Sequence, residues 1–147
     1  MEIAILGLGC FWGPEIKFSK IKGVIQTEVG YCGGDKSNTN YKEVCSGKSN
    51  HAEVVKLVFN PDIISYEEII TNFFKFHDPT TLNSQGPDFG TQYRSEIFYN
   101  DKNQKDISER ILNEENERLN GKIVTRISPI KNYCKAEEYH QKYLERK

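Results

Sequence analysis

Four cysteines and one strand-borne glutamate are the residues of this chain whose types and settings could do chemistry. Cys10 lies in Gly9-Cys10-Phe11-Trp12-Gly13, after the apolar run Ile3-Ala4-Ile5-Leu6 and before a segment of helical spacing with Pro14 in its first turn. That is the pattern of a strand-to-helix turn. A thiol there faces unpaired backbone N–H groups and the positive end of a helix dipole. Its pKa is therefore expected to fall, which populates the thiolate, the nucleophilic form. The flanking glycines leave room for another molecule. The alternative is a small buried core cysteine without chemistry.

Glu53 is the second group. In residues 52–59 the alternation places Glu53, Val55, Leu57 and Phe59 on one face of a strand. A carboxyl aligned with buried side chains either meets a partner or keeps its proton, because an isolated buried charge is costly. A proton kept to high pH makes it an acid catalyst; a frayed strand end would instead leave it in water. The other thiols, Cys32, Cys45 and Cys134, form no C-x-x-C pair and read as reduced cytosolic cysteines. His51, His77 and His140 make no close ligand pair with one another or with the cysteines, so no metal site is expected.

The elements that must hold these groups follow from the pattern of the chain. Its 147 residues suit one domain, 1–147. A net charge of -1 with scattered Lys and Arg carries no footprint for nucleic acid or an acidic membrane. No basic, apolar leader and no membrane-length apolar run stands in the sequence, so a soluble cytoplasmic protein is expected. Strands are expected at 24–31, 52–59, 93–99 and 123–127. Helices are expected after Cys10, after the Ser65/Glu68 capping box, over 101–120 and over 136–144, with a short helical turn at 41–47. His77 continues the apolar stripe of its helix and reads as a packed residue. Residues 32–40 and 78–92 read as loops, and long loops in compact domains are often functional.

Several blocks, in order, make the chain similar to the A-type peptide methionine sulfoxide reductases. They are residues 9–13, Gly30-Tyr31-Cys32-Gly33-Gly34, residues 41–47, His51-Ala52-Glu53, residues 77–81, Gln85-Gly86-Pro87-Asp88, Gly90-Thr91-Gln92-Tyr93-Arg94-Ser95 and residues 136–141. The resemblance is nearly full length. It implies a two-layer α/β (α+β) sandwich with a ferredoxin-like β-α-β-β-α-β core and an additional C-terminal helix, strand and helix. It also implies thiol-dependent reduction of methionine S-sulfoxide, free or in proteins, as repair of oxidative damage. No bound cofactor is implied. The expected partners are the oxidised protein and an external reductant such as thioredoxin, glutaredoxin or a small thiol, with the enzyme a monomer.

By the same resemblance Cys10 attacks the sulfoxide sulfur, Glu53 protonates the departing oxygen, and Tyr41 and Tyr93 hydrogen-bond it. Asp88 binds the polar part of the substrate, and Phe11 and Trp12 pack around its S-methyl group. Cys10 is left as a sulfenic acid that a second thiol must reduce. Many relatives carry resolving cysteines in a glycine-rich C-terminal tail, and none follows the last motif here. Cys32, in the glycine-rich loop, Cys45, in a shared block where it also reads as structural, and Cys134, where relatives usually have an aromatic residue, remain candidates beside direct reduction by an external thiol. Two rivals stand against the reductase. A cysteine hydrolase would need His51 or His140 within hydrogen-bond reach of Cys10, and a binding-only relative would not need Cys10, Glu53, Tyr41 and Tyr93 together.

Overall fold

Five consecutive buried residues, Ala4 to Leu8, make β1 (Glu2–Leu8) a strand covered on both faces, as its unbroken apolar run requires. The computed structural model describes residues 1–146. After β1 come α1 (Trp12–Ser19), β2 (Val24–Cys32) and α2 (Tyr41–Cys45), the last capped by the Asn40 side chain accepting from Glu43 N–H. β3 (Ala52–Phe59) leads to α3 (Tyr66–Lys75), which starts at the complete Ser65/Glu68 capping box. Residues 78–92 hold a small hairpin, β4 (Ser84–Gln85) and β5 (Asp88–Phe89), then a 3₁₀ turn, Thr91–Tyr93. β6 (Ser95–Tyr99), α4 (Lys102–Arg118), β7 (Arg126–Pro129), β8 (Cys134–Lys135) and a 3₁₀ turn at Glu138–His140 complete the order.

The main sheet runs β7-β6-β1-β3-β2-β8. Its middle four strands pair antiparallel, with β1 between β6 and β3, and β3 between β1 and β2. α1 crosses from β1 to β2 and α3 from β3 to β6, which is the ferredoxin-like β-α-β-β-α-β arrangement. β7 adds in parallel beside β6, and β8 adds beside β2. Ala4, Leu6, Val55, Leu57 and Phe59 cover one sheet face and pack against Phe18, Ile69, Ile70, Phe73 and Ile111 of the helices. Ile5, Cys32, Val54 and Phe98 cover the other, under Ile130 and Tyr133.

Three sequence expectations differ from the fold. The terminal helix over 136–144 does not form beyond its 3₁₀ turn. Side chains and backbone there bond across the molecule instead. Gln141 Nε2 donates to Val29 O and its Oε1 accepts from Val29 N–H, both at 2.9 Å, while buried Glu15 accepts from Lys142 N–H at 2.7 Å. These contacts tie the segment along β2 and leave Lys142 at φ 52, outside helical space. The expected strand at 123–127 lies at Arg126–Pro129, because Val124 N–H is drawn to Pro79 O at 2.9 Å. Cys32 is not in a mobile loop: it ends β2 opposite Ala52, fully buried.

Candidate active site

Gly9 takes φ 94, which only glycine adopts at no steric cost, and a Cβ there would come within 2.7 Å of Gln85. The bend turns the chain off β1 so that the next residues meet the head of β3. Phe11 N–H donates to Glu53 Oε1 at 3.2 Å, fixing the Cys10 turn to the carboxyl. Glu53 faces the helices, paired with Tyr31 across β2, and is 1% exposed. Its Oε2 has no hydrogen-bond partner among the described residues. Burial pushes this carboxyl up to about 8; the Phe11 amide opposes that rise, and the charge of Asp88 adds to it. Glu53 is thus a protonated acid at neutral pH with one oxygen unpaired.

The Cys10 thiol is half-buried, and the expectation of a lowered pKa does not hold. Burial drives it to about 11, and the carboxylates of Glu53 and Asp88 and the thiol of Cys45 push the same way. The Trp12 backbone N–H at the start of α1 does favour the thiolate, as a helix N-terminus should, but desolvation outweighs it. The sequence located the dipole and could not show the depth of the pocket around it.

Tyr41 opens α2, and its backbone N–H donates to Glu137 Oε2 at 2.9 Å. Its phenol bonds the thiol of Cys45, one helical turn on, and that bond is the main reason the phenol stays protonated well above its usual range. Tyr93 closes the 3₁₀ turn that follows the hairpin. Burial, then the charges of Glu53, Cys45, Asp88 and Cys10, raises its phenol pKa as well. Cys10, Glu53, Tyr41, Tyr93 and Asp88 therefore feel one another electrostatically, and both phenols are neutral donors.

An aromatic wall closes the site. Phe11 is buried with its ring 5.8 Å from Tyr31 and 5.2 Å from His140. Trp12 stacks on Tyr143 at 3.9 Å, and its indole N–H donates to His140 Nδ1 at 3.1 Å. That bond leaves the His140 proton on Nε2, a buried atom without a partner among the described residues, and burial keeps the ring neutral. His140 also lies 4.5 Å from the Tyr41 ring. Sequence reasoning weighed His140 only as the base of a rival hydrolase, and missed the roles of Tyr143 and of Glu137, whose second oxygen holds the Tyr31 hydroxyl at 2.8 Å. Their spacing was legible, but the helix expected over 136–144 hid that they turn inward.

The three further thiols separate. Cys45 is exposed and shares the Tyr41 side of α2, and its charge reaches Cys10. Cys134 is half-buried, with Sγ 3.7 Å from both Asn38 Oδ1 and Thr39 O. Cys32 lies on the sheet face opposite to Glu53, its Sγ bonded to Lys131 O at 3.4 Å. His77 is packed, as its spacing implies, with Nδ1 2.7 Å from Phe73 O and Nε2 2.7 Å from Ser95 Oγ. His51 is buried beside the backbone of Asn132 and Lys36, with no bond to Cys10, and His140 Nδ1 is taken by Trp12, so no histidine activates Cys10 in the manner of a hydrolase.

Comparison with known proteins identifies the family. The family described as peptide methionine sulfoxide reductase matches residues 2–147. Peptide methionine sulfoxide reductase MsrA of Pelagibacter ubique (strain HTCC1062) is 68% identical over 147 residues, covering 100% of both chains. Mxr1 from Saccharomyces cerevisiae in reduced form superposes with a TM-score of 0.93 at 42% identity, covering 99% of this chain and 84% of that one. The same yeast protein in complex with Trx2 aligns at a TM-score of 0.70 and 28% identity, over 97% and 84% of the two chains. No helix among the described residues is long and apolar enough to cross a membrane. The chain belongs to the peptide methionine sulfoxide reductase family, and it is an oxidoreductase.

Proposed function

We propose that this one-domain enzyme reduces the S epimer of methionine sulfoxide, free or within oxidised proteins, with Cys10 as nucleophile and Glu53 as proton donor. The observation that carries the reading is the buried Glu53 carboxyl, its Oε2 unpaired and its Oε1 bonded to the backbone beside the thiol, at the foot of an aromatic wall. The Cys10 thiolate, its proton lost to solvent, bonds to the sulfoxide sulfur as Glu53 gives its proton to the oxygen. The hydroxyl then passes to the Cys10 sulfur as the sulfur–sulfur bond breaks and methionine leaves, and solvent returns a proton to Glu53. The balance is one thiol and one sulfoxide converted to one sulfenic acid and one methionine. Sulfoxide oxygen leaves poorly unless its developing charge is met, and Tyr41 and Tyr93 supply donors for it. Phe11 and Trp12 take the S-methyl group, excluding water; Asp88 helps bind the polar or backbone portion of the substrate.

Removing one of two phenols that share a charge leaves the other in place. Tyr93→Phe is therefore expected to lower kcat on the order of 10- to 100-fold with little change in KM, measured with a free sulfoxide. An equal loss falling on KM alone would assign Tyr93 to ground-state binding.

Regeneration requires a second thiol. Cys45 is the internal candidate best placed, since Cys32 faces the other side of the sheet. The eventual reductant is assigned to thioredoxin, by analogy with the yeast Mxr1–Trx2 complex. All four cysteines are free, as thiol-dependent turnover requires. The test is a single turnover of pre-reduced protein with each epimer, counting methionine formed and thiols lost. One methionine per chain from the S epimer alone is expected, with two thiols lost and the loss cut to one in Cys45→Ser. Methionine from neither epimer sinks the reductase reading; one thiol lost in the unaltered protein sinks Cys45 as resolving residue.

A further inference from the structure

On the sheet face turned away from Cys10, a cavity of about 360 Å³ opens between β6, β7 and the end of β2. Arg94, Glu96, Arg126, Ser128, Lys131 and Gly33 line it, over a floor formed by Phe98. Register explains the convergence: Arg126 pairs with Glu96 and Ser128 with Phe98, so these side chains share one face. The acid in the cavity is already engaged. Glu96 Oε1 accepts from Arg94 Nε at 2.6 Å, and its Oε2 accepts from Ser128 Oγ at 2.5 Å. Arg94 is 8% exposed, and its other nitrogens donate to Thr91 O at 2.9 Å and Asn50 O at 3.1 Å.

The two remaining cations are not engaged. Arg126 and Lys131 are exposed, and neither meets a carboxylate among the described residues. Asp35, the acid nearest by connection, is held by the Asn50 side-chain amide at 2.6 Å. Lys131 is nevertheless placed by its backbone, since its carbonyl accepts from Gly33 N–H at 2.7 Å and from Cys32 Sγ at 3.4 Å. Counting side chains, three cations face one carboxylate, and the surplus of two positive charges stands on the rim of a walled cavity.

We propose that this cavity is a binding site for a small oxyanion of charge near −2, of the phosphate or phosphate-monoester class. Arg126 and Lys131 bind the anion from opposite walls, and Arg94 adds a fixed positive charge beneath it. Planar guanidinium and ammonium donors on an oxyanion are charge-assisted bonds, the strong kind. The volume exceeds what a bare oxyanion fills and lies at the low end for small organic ligands, which leaves space for the carbon skeleton of an ester. Arg94 holds Thr91 O, the first residue of the 3₁₀ turn whose third residue is Tyr93.

The experiment titrates the whole protein with inorganic phosphate and, separately, with glycerol 3-phosphate, following backbone amide shifts at ionic strength held constant with chloride. Saturable shifts at Gly33, Ser128 and Lys131 are expected, weakened about tenfold in each of Arg126→Gln and Lys131→Gln. Both substitutions are at exposed positions, and unchanged amide spectra elsewhere report that each variant is folded. Tighter binding of the ester assigns the site to an organic phosphate, and equal binding assigns it to the free anion. Shifts that never saturate, that sodium chloride reproduces, or that survive in the double variant overturn the site. Because no turnover is measured, this outcome is independent of the reductase chemistry.

Discussion

Cys10→Ser is expected to abolish methionine formation from the S sulfoxide, a fall on the order of 10⁴-fold or more in single-turnover rate. Oxygen cannot replace sulfur here, because the product of the step is a sulfur acid and a hydroxyl cannot accept the sulfoxide oxygen at that oxidation level. The fold should not suffer. Cys10 is only half-buried, the turn is set by Gly9 and by the Phe11 amide on Glu53, and serine adds no volume. Thermal unfolding within a few degrees of the unaltered protein would exclude collapse as the cause. The same assay on Cys32→Ser and Cys134→Ser should give full first-turnover methionine, since neither sulfur faces Glu53. Substantial methionine from Cys10→Ser would remove Cys10 as the nucleophile.

The fold was legible because its strongest signals are local. The Ser65/Glu68 capping box, the alternation in residues 52–59 and the helical stripe over 101–120 each describe one element and need no partner. The helix assigned to 136–144 failed for the opposite reason. Gln141 and Lys142 have good helix propensity, but Val29 and Glu15, more than a hundred residues earlier, offer better hydrogen bonds. The site shows the same division. Glu53 could be singled out from its strand face alone, as could the position of Cys10 at a helix start. Burial is a property of the assembled pocket, which is why the raised Cys10 thiol could not be foreseen and why Cys32 read as part of a loop. His140 was visible as one residue of a shared block and as the base of a rival hydrolase, not as a partner of Trp12; that bond crosses 128 positions of sequence.

Glu53→Gln is expected to lower the rate of methionine formation by about 10²- to 10⁴-fold, and the pH profile distinguishes loss of an acid from loss of packing. The reacting pair needs Glu53 protonated and Cys10 as thiolate. Their pKa values run in the reverse order, about 8 for Glu53 and about 11 for Cys10. Below pH 8 Glu53 is protonated and each pH unit gives about tenfold more thiolate, so kcat/KM climbs. Between about 8 and 11 the gain in thiolate is cancelled by the loss of the Glu53 proton, and the profile is flat. Above 11 the acid continues to empty while the thiolate is complete, and the rate falls. The amide of glutamine keeps the shape and one donor but cannot deliver a proton. In Glu53→Gln the break near 8 should therefore vanish, and the residual rate should climb without pause toward the Cys10 titration. That titration should itself lie below 11, since the neighbouring Glu53 charge that raises it is gone. A break near 8 that persists in the variant would assign the proton donor to another group, and Glu53 would then be a positioning residue for the Phe11 amide alone.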